Sequence, residues 1–93
     1  MSSQVGGQPL DGLKREVRQF LAGKLHRKVE GVGDHDSLLE SGVIDSMAVL
    51  EIVGHIEQQY GVTVSDDDMM PENFDTIEAI AAFIASRRDE TRG

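Results

Sequence analysis

The sequence predicts an all-α fold, a small four-helix bundle of three main helices and one short one, with a long loop between helices 1 and 2. Three observations carry that prediction. Apolar residues recur at helical spacing in three separate stretches, beginning near Leu10, Val49 and Ile77. The one stretch with strand character, Val62-Thr63-Val64, has no partner strand anywhere in the chain and reads as an extended connector. A length of 93 residues at 39% hydrophobic content suits one small core and is too short for two. With three Phe, one Tyr and no Trp, that core must be built from aliphatic side chains, and modest stability is expected.

Residues 1–9 are rich in Gly, Ser and Gln and read as a disordered tail, residues 10–88 as the folded domain, and residues 89–93 as a second disordered tail. Asp11 is a candidate N-cap for the first helix. Leu10, Leu13, Val17, Phe20, Leu21 and Leu25 then share one face, and the helix is expected to end near Arg27 or Lys28, where cations suit the negative end of its dipole. The stretch after it, with Gly31, Gly33, Asp34, Asp36 and Ser37, is a long loop that Leu38, Leu39, Val43 and Ile44 should pin to the bundle. Loops of that length in compact domains are usually functional.

The second helix is expected from about Ser46 to Gln59, closed by Gly61 in a left-handed cap. Ser65 to Asn73 should hold one short helical turn, limited by Pro71. Asp75 with Glu78 has the spacing of a capping box for a last helix, whose core residues are Ile77, Ile80, Ala81 and Ile84.

Charge narrows the function. The net charge is −8, and all nine Lys and Arg fall within residues 14–28 or 87–92. Between Val29 and Ser86 there are thirteen Asp and Glu and no Lys or Arg. Such a field repels nucleic acid and attracts basic protein surfaces. Cysteine is absent, which excludes disulfides and thiolate metal sites and requires that any thiol chemistry be imported. No apolar run reaches the length of a membrane span and the first residues lack the pattern of a signal peptide, so the chain is expected to be cytoplasmic, without a membrane partner.

The central stretch is Glu40 to Tyr60. Ser41 and Gly42 form a turn into Val43-Ile44, after which Asp45 and Ser46 stand where a helix begins. Either could accept a hydrogen bond from an orphan amide of the first turn. An attached phosphate would be favoured by about 0.3–1 kcal/mol at the positive end of the helix dipole. If Val49, Ile52, Val53, Ile56 and Tyr60 face inward, Met47, Glu51, Gly54 and Gln58 lie on the opposite side, with Leu50 flanking. An adaptable Met beside the serine, on an otherwise polar row, suits a surface that several partners read in turn.

Other chemistries fit poorly. Ser46 lacks the glycines of a nucleophile elbow. His26, expected on the first helix, His35 in the loop and His55 on the side of the second have no recognisable relation to it and read as solvated surface residues. Asp34, Asp36 and Asp45 match EF-hand spacing in part, but Leu38 and Leu39 occupy a ligand position and the required glycine, so no metal site is expected. Asp66-Asp67-Asp68 could hold cations only loosely.

Asp45-Ser46-Met47, preceded by Leu39-Glu40-Ser41-Gly42-Val43-Ile44 and followed by a Leu/Ile/Val-rich helix ending Tyr60-Gly61-Val62, resembles the attachment site of acyl and peptidyl carrier proteins. Methionine stands where that family most often has leucine. The resemblance implies a discrete, stand-alone carrier, a monomer and not an enzyme, with phosphopantetheine esterified to Ser46 and a cargo held as a thioester. It implies a phosphopantetheinyl transferase, an adenylating or other acyl-loading enzyme, and acyltransferase, ketosynthase or condensation-type enzymes as partners. Asp45 would support the transferase, and Met47, Leu50, Glu51, Gly54, Glu57 and Gln58 would form the partner face. The Leu39–Ser46 stretch and Pro71-Glu72-Asn73-Phe74-Asp75-Thr76-Ile77 look more like carriers of polyketide or nonribosomal-type specialised metabolism than the fatty-acid type, and are similar to aminoacyl, methoxymalonyl and D-alanyl carriers. The reading from another class is a non-covalent helical adaptor.

Overall fold

The computed structural model describes residues 2–92, with side chains from Leu10 to Arg88. Helix α1 spans Ser2–Gly23, α2 Ser46–Tyr60, α3 Pro71–Phe74 and α4 Ile77–Arg92, with a 3-10 turn over Asp66–Asp68. The described residues contain no strand, and Val62-Thr63-Val64 is an extended connector as expected. The core is aliphatic: Leu13, Val17 and Leu21 of α1 meet Ala48, Ile52 and Ile56 of α2 and Ile77, Ile80 and Ile84 of α4. Phe74 closes it, edge-on to Phe83 at 5.4 Å between ring centroids.

Several details of the elements differ from expectation. Helix α1 begins at Ser2, so Asp11 lies inside it and is not its N-cap. Helices α1 and α4 run through residues 2–9 and 89–92, where the sequence reads as disordered tails. Helix α1 stops at Gly23 rather than near Lys28. The Leu25 amide reaches five residues back to the Phe20 carbonyl and the Arg27 amide six back to Leu21, while His26 takes a left-handed φ of 57°. That conformation cannot continue a right-handed helix, which places His26 in a turn and not on α1.

The segment after Val64 holds two short pieces where one was expected. Ser65 and Asp68 bond reciprocally around the 3-10 turn, the Ser65 amide donating to Asp68 Oδ2 at 3.1 Å. Pro71 then starts α3, where its missing N–H costs nothing. The capping box expected for α4 is also replaced. Thr76 Oγ1 accepts the Ala79 amide at 2.9 Å, which frees Asp75 and Glu78 for the long loop.

That loop, residues 24–45, is fastened at three places. Arg18 of α1 donates to the Val32 carbonyl at 2.7 Å and to Asp34 Oδ1 at 2.8 Å. Lys14 lies 3.3 Å from the other Asp34 oxygen. Together, Arg18 first, these cations hold the Asp34 carboxyl below the usual carboxylate range. At the far side Asp75 accepts the Ser37 hydroxyl at 2.8 Å and the Leu39 amide at 3.0 Å, and its carbonyl accepts the Leu38 amide. Leu38 and Ile44 are buried between, joined by an Ile44 amide to Leu38 carbonyl bond of 3.1 Å.

Candidate functional site

The loop delivers the chain to α2 in a fixed sense. Gly42, at φ 81°, makes a turn that L side chains rarely adopt, and Ile44 follows into the core. With Ile44 buried, the extended Asp45 and then Ser46 emerge at the surface. Asp45 is the N-cap: its side chain accepts the Ala48 amide at 2.9 Å and its carbonyl the Val49 amide at 3.1 Å. Of the two candidates read from the sequence, Asp45 is therefore the cap, and the Ser46 hydroxyl engages no other described residue. The Ser46 and Met47 amides precede the first intrahelical bonds, so the helix presents free donors and its positive dipole end beside that hydroxyl.

Arg27 supplies the local cation, with Nη2 3.9 Å from Asp45 Oδ1. Among the described residues, no base hydrogen-bonds to Ser46. His35 meets Glu78 at 2.7 Å on the other side of the loop. His55 is not a solvated surface residue: it is half-buried and stacked on Phe20, rings 12° from parallel and 3.8 Å apart. Burial, and then the charge of Lys24, lower its pKa. The neighbouring Tyr60 donates to Glu16, and burial followed by that carboxylate pushes its phenol well above the usual range.

Along α2, Ala48, Ile52 and Ile56 are buried, and Val49, Val53 and Tyr60 pack half-buried against the core. Ala48 was missing from the inward set because alanine carries little periodic signal. Met47 stands 67% exposed and Leu50 55% exposed, with Glu51, Gly54 and Gln58 exposed beside them. Glu57 differs: it is half-buried and its carboxylate accepts the Val64 amide at 2.9 Å, so part of its charge is spent within the chain. Glu51, Gly54 and Gln58 form one wall of a shallow groove, and Phe20 and Leu25 form part of the other.

Sequence reasoning missed Arg18, Arg27 and Asp75. Arg18 had a signal of sorts, since it follows Lys14 by one helical turn and so shares its face. Asp75 was legible only as a cap, and Arg27 only as a charge near a helix end.

The start of α2 thus presents an exposed, unengaged hydroxyl at the positive end of a helix. The family described as "Phosphopantetheine attachment site" matches residues 15–84. The chain belongs to that phosphopantetheine-binding family of acyl carrier proteins, whose prosthetic group is covalently attached phosphopantetheine. Among its relatives, an acyl carrier protein of Buchnera aphidicola subsp. Schizaphis graminum is 22% identical over 78 residues, covering 84% of this chain and 96% of that one. The probable acyl carrier protein PigG of Serratia sp. is 27% identical over 66 residues, 71% of each chain.

Residues at the start of α2 fit such a group. The hydroxyl is unhindered, the first-turn amides are available to phosphate oxygens, and Asp45 keeps its own carboxylate turned into the helix cap.

Proposed function

We propose that Ser46 is the attachment residue, and that the chain carries an acyl or aminoacyl cargo in specialised biosynthesis of the polyketide or nonribosomal type. The observation that carries the assignment is the exposed, unengaged Ser46 hydroxyl opening α2, held in place by Asp45 and by the buried pair Leu38 and Ile44. A partner transferase would bind coenzyme A. The serine oxygen replaces one side of its diphosphate, the adenosine-bearing phosphate leaves, and the serine proton passes to a base on the transferase. When bound, the group supplies a terminal thiol that this cysteine-free chain lacks. The chain's own part is to fix the anchor point and to present Met47, Leu50, Glu51, Gly54 and Gln58 to successive partners.

Specialised metabolism is favoured by the Leu39–Ser46 and Pro71–Ile77 stretches. The housekeeping fatty-acid role, or a D-alanyl carrier, is the second reading, because both relatives are named only as acyl carrier proteins. The transferase, an adenylating or acyl-loading enzyme and condensing enzymes are the proposed partners, met in the cytoplasm by a monomer. No described helix is long and apolar enough to cross a membrane.

Incubation with coenzyme A and a promiscuous transferase, followed by intact-mass measurement, tests the assignment. One phosphopantetheine should be added to the native chain and none to Ser46→Ala, which should keep its helical fold. Addition to the Ala variant would move the site elsewhere. No addition to either would leave the non-covalent adaptor.

A further inference from the structure

We propose that Arg27 is the binding residue for the phosphodiester formed at Ser46, so that loading draws the guanidinium from the Asp45 carboxylate to the phosphate. The inference rests on Ser46 being the attachment residue. His26-Arg27-Lys28 is the last cluster with Lys or Arg before a run of acids that continues to Ser86, and it lies beside Asp45 and the Ser41–Val43 segment that leads into α2. With Ser41, Gly42 and Val43 it lines a small cleft of about 340 Å³. The left-handed backbone at His26 and the Arg27 amide bond to Leu21 at 2.8 Å fix how this segment leaves α1.

Arg27 is held there with spare capacity. Its Nη2 stands 3.9 Å from Asp45 Oδ1, beyond hydrogen-bond range, and that oxygen already accepts the Ala48 amide at 2.9 Å. Its Nε is buried without a hydrogen-bond partner. A buried donor left unpaired is unfavourable, and a guanidinium offers Nε–H and Nη–H as a planar fork matched to two phosphate oxygens. A phosphodiester on Ser46 brings two non-bridging oxygens and one negative charge to the residue beside Asp45. Without Arg27 that charge meets the carboxylate of Asp45 and the acidic run beyond it. With Arg27 the root of the arm is drawn toward the 26–28 and 41–43 side, leaving Met47 and Leu50 uncovered for partners.

The test uses the native chain, Arg27→Gln, Arg27→Lys and Lys28→Gln, each before and after loading, with loading verified by intact mass. In ¹⁵N-labelled native protein the Arg27 Nε–H resonance should shift on loading, and its exchange with water should slow. The ³¹P resonance of the loaded diester should change in Arg27→Gln, change less in Arg27→Lys and stay put in Lys28→Gln. Loading should also raise the unfolding equilibrium constant of Arg27→Gln roughly two- to fivefold more than that of the native chain, an effect that fades with salt. An Arg27 Nε–H resonance unmoved in fully loaded native protein overturns the proposal while leaving Ser46 as the site. This readout needs no variant, so poor folding or slow loading of Arg27→Gln does not weaken it. A native chain that gains no mass overturns the Ser46 assignment itself.

Discussion

Asp75, at the end of α3, accepts the Ser37 hydroxyl on both carboxylate oxygens, at 2.8 and 2.9 Å, across 38 residues of sequence. The same carboxylate takes the Leu39 amide. The junction of α3 and α4 thereby grips the loop at Ser37 and Leu39, shortly before Asp45-Ser46. Asp75→Ala removes a half-buried carboxylate that accepts from two donors, the Ser37 hydroxyl and the Leu39 amide, and should cost about 1.5–3 kcal/mol in urea unfolding. Amide exchange at Leu39 should accelerate in that variant. Ser37→Ala should cost less, because the Leu39 bond survives, and the double variant should be less than additive. Equal stability of Asp75→Ala and the native chain would show that Leu38 and Ile44 alone hold the loop.

What the sequence made legible was local. The rise of α2 from Ser46, its close at Gly61 and the Ile52–Ile56 stripe are written in neighbouring residues, and the structure places them as expected. Ser46 stood out for the same reason. Asp75 was misread because Asp three residues before Glu is equally good as a cap, and the choice between cap and loop anchor depends on Ser37, far away in sequence. Arg18 and Asp34 are likewise a pair that only the return of the loop over α1 brings together. His55 was placed at the surface because a helical wheel cannot show Phe20 of another helix lying over it. The left-handed His26 broke the pattern that carried α1 toward Lys28, since glycine and asparagine, not histidine, are the usual signals of such a stop.

The Phe20–His55 stack predicts a pH dependence. Burial and Lys24 lower the His55 pKa below its ordinary value of 6.5, against the opposing pull of Glu16. The unfolded chain therefore takes up the proton first as pH falls. The stability that follows is fully present above about pH 6.5 and is lost as pH drops from there through the folded-state value. The melting temperature should decline over that interval, and His55→Phe, which keeps a stacked ring, should flatten the decline. Asp34 and Asp68, whose pKa values are lowered from 3.8, act in a separate window below pH 4, where protonation releases Arg18 and the Ser65 turn. An unchanged slope between pH 7 and 5.5 in His55→Phe would assign the decline to other groups.

Salt should stabilise the chain. Of the thirteen acids between Val29 and Ser86, Asp34 and Asp68 face Lys or Arg at close range and Asp45 faces Arg27 more loosely. Acids such as Glu40, Glu51, Asp66, Asp67 and Glu72 are exposed and repel one another in the compact state. Moderate salt, or a divalent cation held loosely near Asp66–Asp68, should raise the melting temperature by about 4–8 °C per kcal/mol of repulsion relieved. A melting temperature that falls with salt would mean that the ion pairs at Arg18 and Arg87 outweigh the repulsion.

The proposed partner face can be separated from the core by its salt dependence. Met47, Leu50, Glu51, Gly54 and Gln58 are exposed along α2, one turn after another. Glu51→Lys reverses an exposed charge and should slow association with the transferase roughly tenfold at low ionic strength, and much less at high. Met47→Ala and Leu50→Ala should slow it with little salt dependence, because what they remove is apolar contact. Gly54→Ala adds a methyl group into open space and should stabilise the helix by about 0.5–1 kcal/mol. Slower loading of that more stable variant would locate a partner's close approach there. Ile52→Ala, in the core at 1% exposure, is the control and should cost about 2–5 kcal/mol. Glu57→Gln should act weakly on association, since its carboxylate is already engaged by the Val64 amide. Were Met47→Ala, Leu50→Ala and Glu51→Lys all to load at the native rate, partners would have to approach elsewhere, and the exposed acids at Asp66, Asp67 and Glu72 would be the next surface to vary.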